Sequence, residues 1–134
     1  MVKSESIQVF DSQGEAYKRA FQTFLDHTDQ KRNAKRFLQK LVDGLPNRNV
    51  FIDAGAGNGE VTKAFAGVFD RTIAIEPNPH LLTQLKQAIP QAEAIAAPIL
   101  AADPKAQGDF VLCSHTLYYL SLIHWSRLTS FVRP

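Results

Sequence analysis

The sequence holds a single cysteine, Cys113, among 134 residues. It cannot close an internal disulfide, which suits a reducing compartment, and a cytoplasmic location is the expectation. An excess of one charge is also lacking: 15 Lys/Arg face 13 Asp/Glu, for a formal net charge of +2. That balance gives no electrostatic case for nucleic acid or an anionic membrane as partner. The small basic surplus is local, with nine Lys/Arg against six Asp/Glu in residues 1–48 and six against seven after them. Lys31, Arg32, Lys35, Arg36 and Lys40 read as the solvated face of a helix. No apolar run approaches the length of a membrane span, and the opening MVKSESIQVFDSQG lacks the apolar stretch of a secretory signal. Four histidines and one cysteine show no ligand spacing, so no metal site is expected. Internal repeats and low-complexity segments are absent.

What remains is a chain with 45% hydrophobic and 21% charged residues, the balance of a globular domain. From Glu15, Tyr17, Ala20, Phe21, Phe24 and Leu25 recur at helical spacing. The polar patch His27–Asn33 interrupts them, and Ala34, Phe37, Leu38, Leu41 and Val42 resume the stripe up to Gly44 and Pro46. The rhythm then changes. Asn49–Ala54, Arg71–Glu76, Ala92–Ala97 and Asp109–His115 read as strands. Glu60–Phe69 reads as a helix with Val61, Ala64, Phe65 and Val68 inside. Asn78 and Pro79 open another, which carries Leu81, Leu82, Leu85 and Ile89. Pro98, Pro104 and Gly108 leave no clear helix before the fourth strand, and Ser121–Val132 reads as a last helix. Strands alternating with helices imply a parallel sheet with crossover helices. Residues 1–46 form an N-terminal helical segment and 47–134 an α/β unit, the two packing as one body.

The stretch FIDAGAGNGEVT, Phe51–Thr62, ends the first strand in a glycine-rich turn that opens a helix. Such a turn at the carboxyl end of a parallel sheet receives a nucleotide-like ligand. Its spacing is not that of the dinucleotide fingerprint, because the third glycine comes one residue early and Glu60 stands in its place. A carboxylate there is a poor neighbour for a pyrophosphate, and Asp53 is no better. A cation carrying a ribose and no phosphate fits this setting, and S-adenosylmethionine is such a ligand. Glu76, at the end of the second strand, can accept both ribose hydroxyls with its two oxygens.

DAGAGNGEVT with the following IEP resembles the class I S-adenosylmethionine-dependent methyltransferases. Within that class, YxxxFxxFLxHT at Tyr17–Thr28, IEP at Ile75–Pro77 and LYYL at Leu117–Leu120 resemble the histamine N-methyltransferase-like branch. The resemblance implies a Rossmann-like sheet, here incomplete, of about four parallel strands with helices on both faces. It implies that Asp53, Gly55, Ala56 and Gly57 face the cofactor, and that Glu76 with Pro77 holds the ribose. Pro98 and Ile99 would lie near the adenine, with Asp103 the nearest acid. Ser114 would line the cofactor where it meets the acceptor. Tyr17, Phe21, His115 and Tyr118 would face a small-molecule substrate, plausibly an amine, with His115 the side chain to examine for proton transfer. The family sheet has about seven strands, so this chain reads as C-terminally truncated, with the free edge of its fourth strand a route to a homodimer. Two further readings stand beside a methyltransferase: a cofactor-binding or dimerising module without turnover, and a nucleotide-dependent oxidoreductase. Structural roles also compete at single residues. Asp53 can brace the loop, Tyr17, Phe21 and Tyr118 can be core, and His115 can be packed.

Overall fold

The computed structural model describes residues 14–16, 19, 30–113 and 129–134. Tyr17, Phe21, Ser114, His115 and Tyr118 lie outside them. In chain order the elements are α1 (Gln30–Asp43), β1 (Val50–Ala54), α2 (Glu60–Ala66), β2 (Arg71–Ile75), α3 (Pro79–Ala88), β3 (Glu93–Ile95) and β4 (Phe110–Leu112). The strands form one parallel sheet in the order β3-β2-β1-β4. Ile52 stands opposite Ile73 on one side and Val111 on the other. Every residue of β1 is buried, as the VFIDA run requires of a central strand covered on both faces.

Alternation along the strands sorts two cores. On one face Phe51 packs with Val42 of α1, Val61 and Phe65 of α2, and Phe69. Four phenylalanines meet there: Phe51 lies 6.2 Å from Phe65 edge-on, 5.4 Å from Phe69 and 5.5 Å from Phe110 between ring centroids. The other face carries Val50, Ile52, Ala54, Ile73 and Ile75. Among the described residues it is covered by Ile99, Ala102 and Phe131.

Several expectations are corrected. The helix α1 begins at Gln30, inside the polar patch expected to break it, because its inward line is Leu38–Val42 and needs nothing apolar in the first turn. Phe37 and Leu41, rotated off that line, are exposed. In α2 it is Thr62, not Ala64, that turns inward. The final helix does not reach Val132. Thr129 is helical, but Val132 pairs in parallel with Gly108. Gly108 N–H donates to Phe131 O at 2.7 Å, and Arg133 N–H donates to Gly108 O at 3.0 Å. The approach to β4 therefore has a neighbour, and the sheet edge is not bare along its whole length as expected. Among the described residues, no helix is long and apolar enough to cross a membrane.

One side chain secures this edge. Asp109 Oδ2 accepts the N–H groups of Asn49 and Val50 at 2.8 and 3.0 Å, and its Oδ1 lies 3.4 Å from Arg133 Nη1. The Val50 bond foremost holds its carboxyl below the usual aspartate range. Asn49 and Arg133 add to this, and desolvation opposes it. A depressed carboxylate contributes stability above its unfolded value, near 3.9, and loses it as pH falls through the folded value. Asp109→Asn should therefore cost about 1–2 kcal/mol at neutral pH, a difference that shrinks on acidification below about pH 4. Urea unfolding of both proteins across that range checks it.

Candidate functional site

The sheet order places β1 between β2, reached through α2, and β4, reached only after the chain has passed β3. The crevice beside the carboxyl end of β1 is thus the point where the chain's direction of travel reverses, the usual ligand position in open parallel sheets. The glycine bend stands there. Gly55, Gly57 and Gly59 have φ of 80°, 61° and 85°, in the left-handed region.

The bend is laced to the end of β2. Gly55 and Ala56 N–H both donate to Ile75 O, at 2.8 and 3.0 Å, and Gly57 N–H donates to Glu76 Oε2 at 3.2 Å. The second Glu76 oxygen, Oε1, accepts Asn78 N–H at 3.3 Å. Glu76 is buried, 6% exposed. Burial pushes its carboxyl above the ordinary glutamate value, while the two backbone donors pull it back. One backbone donor per oxygen fixes the carboxylate plane and leaves each oxygen further accepting capacity. The residues thus fit a ligand that brings two hydroxyl donors.

Asp53, 1% exposed, is differently employed. Its Oδ2 accepts the Thr62 hydroxyl at 2.6 Å, tying β1 to the first turn of α2. This is the bracing role weighed above. Glu60 points to α1, 3.4 Å from Lys35 Nζ. Pro77 is half-buried after the acid, and Asn78 caps α3 by accepting His80 and Leu81 N–H. Pro98 O accepts Ala101 and Ala102 N–H, while Ile99 is buried in the cluster with Ala54 and Ile75. Asp103 lies elsewhere. With residues 104–107, Ser130 and Phe131 it lines an open cavity of about 400 Å³ at the amino end of β4, the opposite end of the sheet from the bend. Asp103, the acid nearest in sequence to Pro98 and Ile99, thus stands away from the bend.

Sequence reasoning passed over three contributors: Thr62, Gly59 and the second use of Asn78. The signal for Thr62 was there, a hydroxyl on the first turn of α2 facing an acid on the preceding strand. Gly59 looked like one more flexible residue. In the fold a Cβ at that position would stand 2.9 Å from Leu85 Cγ, so α3 packs directly onto the bend.

Comparison with known proteins agrees with this geometry. No curated protein sequence matches the chain. Solved structures do. CalS10, an amino pentose methyltransferase from Micromonospora echinaspora with S-adenosylmethionine bound, aligns with a TM-score of 0.69 at 17% identity over 97% of this chain and 56% of its own. KedS8, a sugar N-methyltransferase from Streptoalloteichus, gives 0.73 at 15% identity over 99% and 56%. The N-methyltransferase NodS of Bradyrhizobium japonicum with S-adenosyl-L-homocysteine gives 0.71 at 19% over 82% and 60%. The chain therefore spans little more than half the length of these structures, and at such identities the likeness establishes the Rossmann-like methyltransferase fold. A family model described as a methyltransferase domain matches residues 25–131, which takes in α1, the glycine bend, Glu76 and all four strands, and the chain belongs to that family.

Proposed function

We propose that the chain holds S-adenosylmethionine across the Gly55–Gly57 bend and serves methyl transfer to a nitrogen of a small molecule, an amino sugar being the first class to test. The observation that carries this is the buried Glu76 carboxylate, with one backbone donor on each oxygen, at the carboxyl edge of the sheet. Gly55, Ala56 and Gly57 face the methionine part and ribose, Glu76 with Pro77 holds the sugar, and Pro98 and Ile99 flank the adenine. Asp53 supports the bend through Thr62. Ser114, His115, Tyr17, Phe21 and Tyr118 stay assigned to the acceptor side by resemblance. The amine is supported by the acceptors named for CalS10, KedS8 and NodS, and by the resemblance to the histamine N-methyltransferase-like branch.

The bound sulfonium supplies an electrophilic methyl group. The chain's contribution is to fix the ligand's orientation, exclude water and bring a neutral amine in line behind the carbon. His115 is the side chain to test for taking the amine's proton.

The second reading is a module that binds the cofactor without turnover. The test is calorimetry with S-adenosylhomocysteine, followed by mass detection of methyl transfer to a panel of amino sugars and simple amines. Binding with transfer supports the enzyme. Binding without transfer to any amine favours the module, and NADH binding in place of both ligands would restore the oxidoreductase.

A further inference from the structure

Asn78 does more than begin a helix. Its side chain is fully buried, and its Oδ1 accepts His80 and Leu81 N–H at 3.0 and 3.1 Å. Its backbone N–H holds Glu76 Oε1. Its Nδ2 donates to Gly14 O at 3.4 Å, across 64 positions of sequence. One residue on, Glu15 Oε2 lies 3.2 Å from His80 Nδ1. Residues 14 and 15 are thus fastened at two points to the first turn of α3, beside the acid assigned to the ribose.

Capping alone does not require an amide. Serine and aspartate cap as well as asparagine, since the cap needs only an acceptor. Asparagine alone among these offers an acceptor and an N–H donor from one short side chain. A buried amide N–H must be satisfied, and Gly14 O accepts one. We propose that Asn78 is a positioning residue, coupling the seating of Gly14–Glu15 on α3 to the grip of Glu76 on the cofactor's ribose. The proposal rests on the S-adenosylmethionine reading. Displacement of the N-terminal segment pulls on Asn78, and Asn78 is one of the two backbone donors that orient the acid.

The test uses Asn78→Asp, which keeps the capping acceptor and has no donor, and Asn78→Ser, which keeps the acceptor, replaces the amide donor with a shorter hydroxyl and adds no charge near Glu76. Glu15→Gln, on a half-exposed side chain, loosens the second point without touching the core. Three quantities are read: thermal midpoint, amide hydrogen exchange at residues 15 and 16, and the S-adenosylhomocysteine Kd. The Asn78 variants should fold, exchange faster at residues 15–16 and bind about three- to tenfold more weakly. Glu15→Gln should shift exchange and Kd the same way at an unchanged midpoint. Wild-type exchange and affinity in all three variants would reduce Asn78 to a cap and overturn the proposal. A wild-type protein that binds no S-adenosylhomocysteine would instead overturn the cofactor reading, and the coupling with it.

Discussion

Replacing Glu76 with alanine is expected to weaken S-adenosylhomocysteine binding by about 5- to 150-fold, the loss of about 1–3 kcal/mol carried by hydrogen bonds to a charged acceptor. The side chain is buried and held in one orientation, so the ligand spends little on ordering it. A pH series adds a second signature. Burial raises the folded Glu76 value above the ordinary one near 4.3. An acid whose value is raised by folding binds its proton more tightly in the native state. Its contribution to stability is therefore greatest at low pH and declines as pH climbs from the unfolded value through the folded one. Ribose hydroxyls donate to the carboxylate form, so cofactor affinity runs the other way and strengthens over that same window. Calorimetry of wild type and Glu76→Ala across it should show the slope in the first protein and a flattened one in the second. Because alanine also leaves Gly57 and Asn78 N–H without this acceptor, the unliganded variant should unfold at lower temperature, and both quantities belong in the comparison.

Gly59→Ala should destabilise the fold strongly. At φ 85° a Cβ costs about 1–2 kcal/mol in backbone strain. The same Cβ would meet Leu85 Cγ at 2.9 Å and Ile89 Cδ1 at 3.4 Å, and overpacking of this kind costs about 1–3 kcal/mol. A total loss of about 2–5 kcal/mol is expected, measured as a lowered urea midpoint. Gly67, with nothing within 4 Å of a Cβ and φ −77°, is the control, and Gly67→Ala should leave the midpoint almost unchanged. Since α3 rests on Gly59 and is capped by Asn78, moving the helix off the bend should also disturb Glu76. Cofactor affinity is expected to fall with stability in Gly59→Ala.

The fold was legible where composition and geometry agree. The VFIDA and RTIAI runs declare buried parallel strands, and Asn78-Pro79 marks a helix start, because each rests on local rules of burial and capping. The end of the chain was harder to read. Val132 looks helical by spacing, yet it pairs with Gly108, a long-range contact with no local trace. Thr62 and Ala64 both suit the inside of α2, and only the position of Asp53 decides between them. At the candidate site, Glu76 and the glycines stand out in the sequence, the glycines because the bend holds them at positive φ. The Gly14–Asn78 bond was not, since nothing in the capping signal reveals the partner of the amide's other end. Asp103 could not be placed from the sequence for a related reason: proximity in sequence to Ile99 says little about which end of the sheet a proline-rich loop reaches.

The decisive measurement is a crystal structure of the protein with S-adenosylhomocysteine bound. The two ribose hydroxyls should lie within about 2.6–3.0 Å of the Glu76 carboxylate oxygens, with the bend at Gly55–Gly57 against the amino acid part. A sugar seated away from Glu76, with that carboxylate still bonded only to Gly57 and Asn78, would contradict the account at its centre.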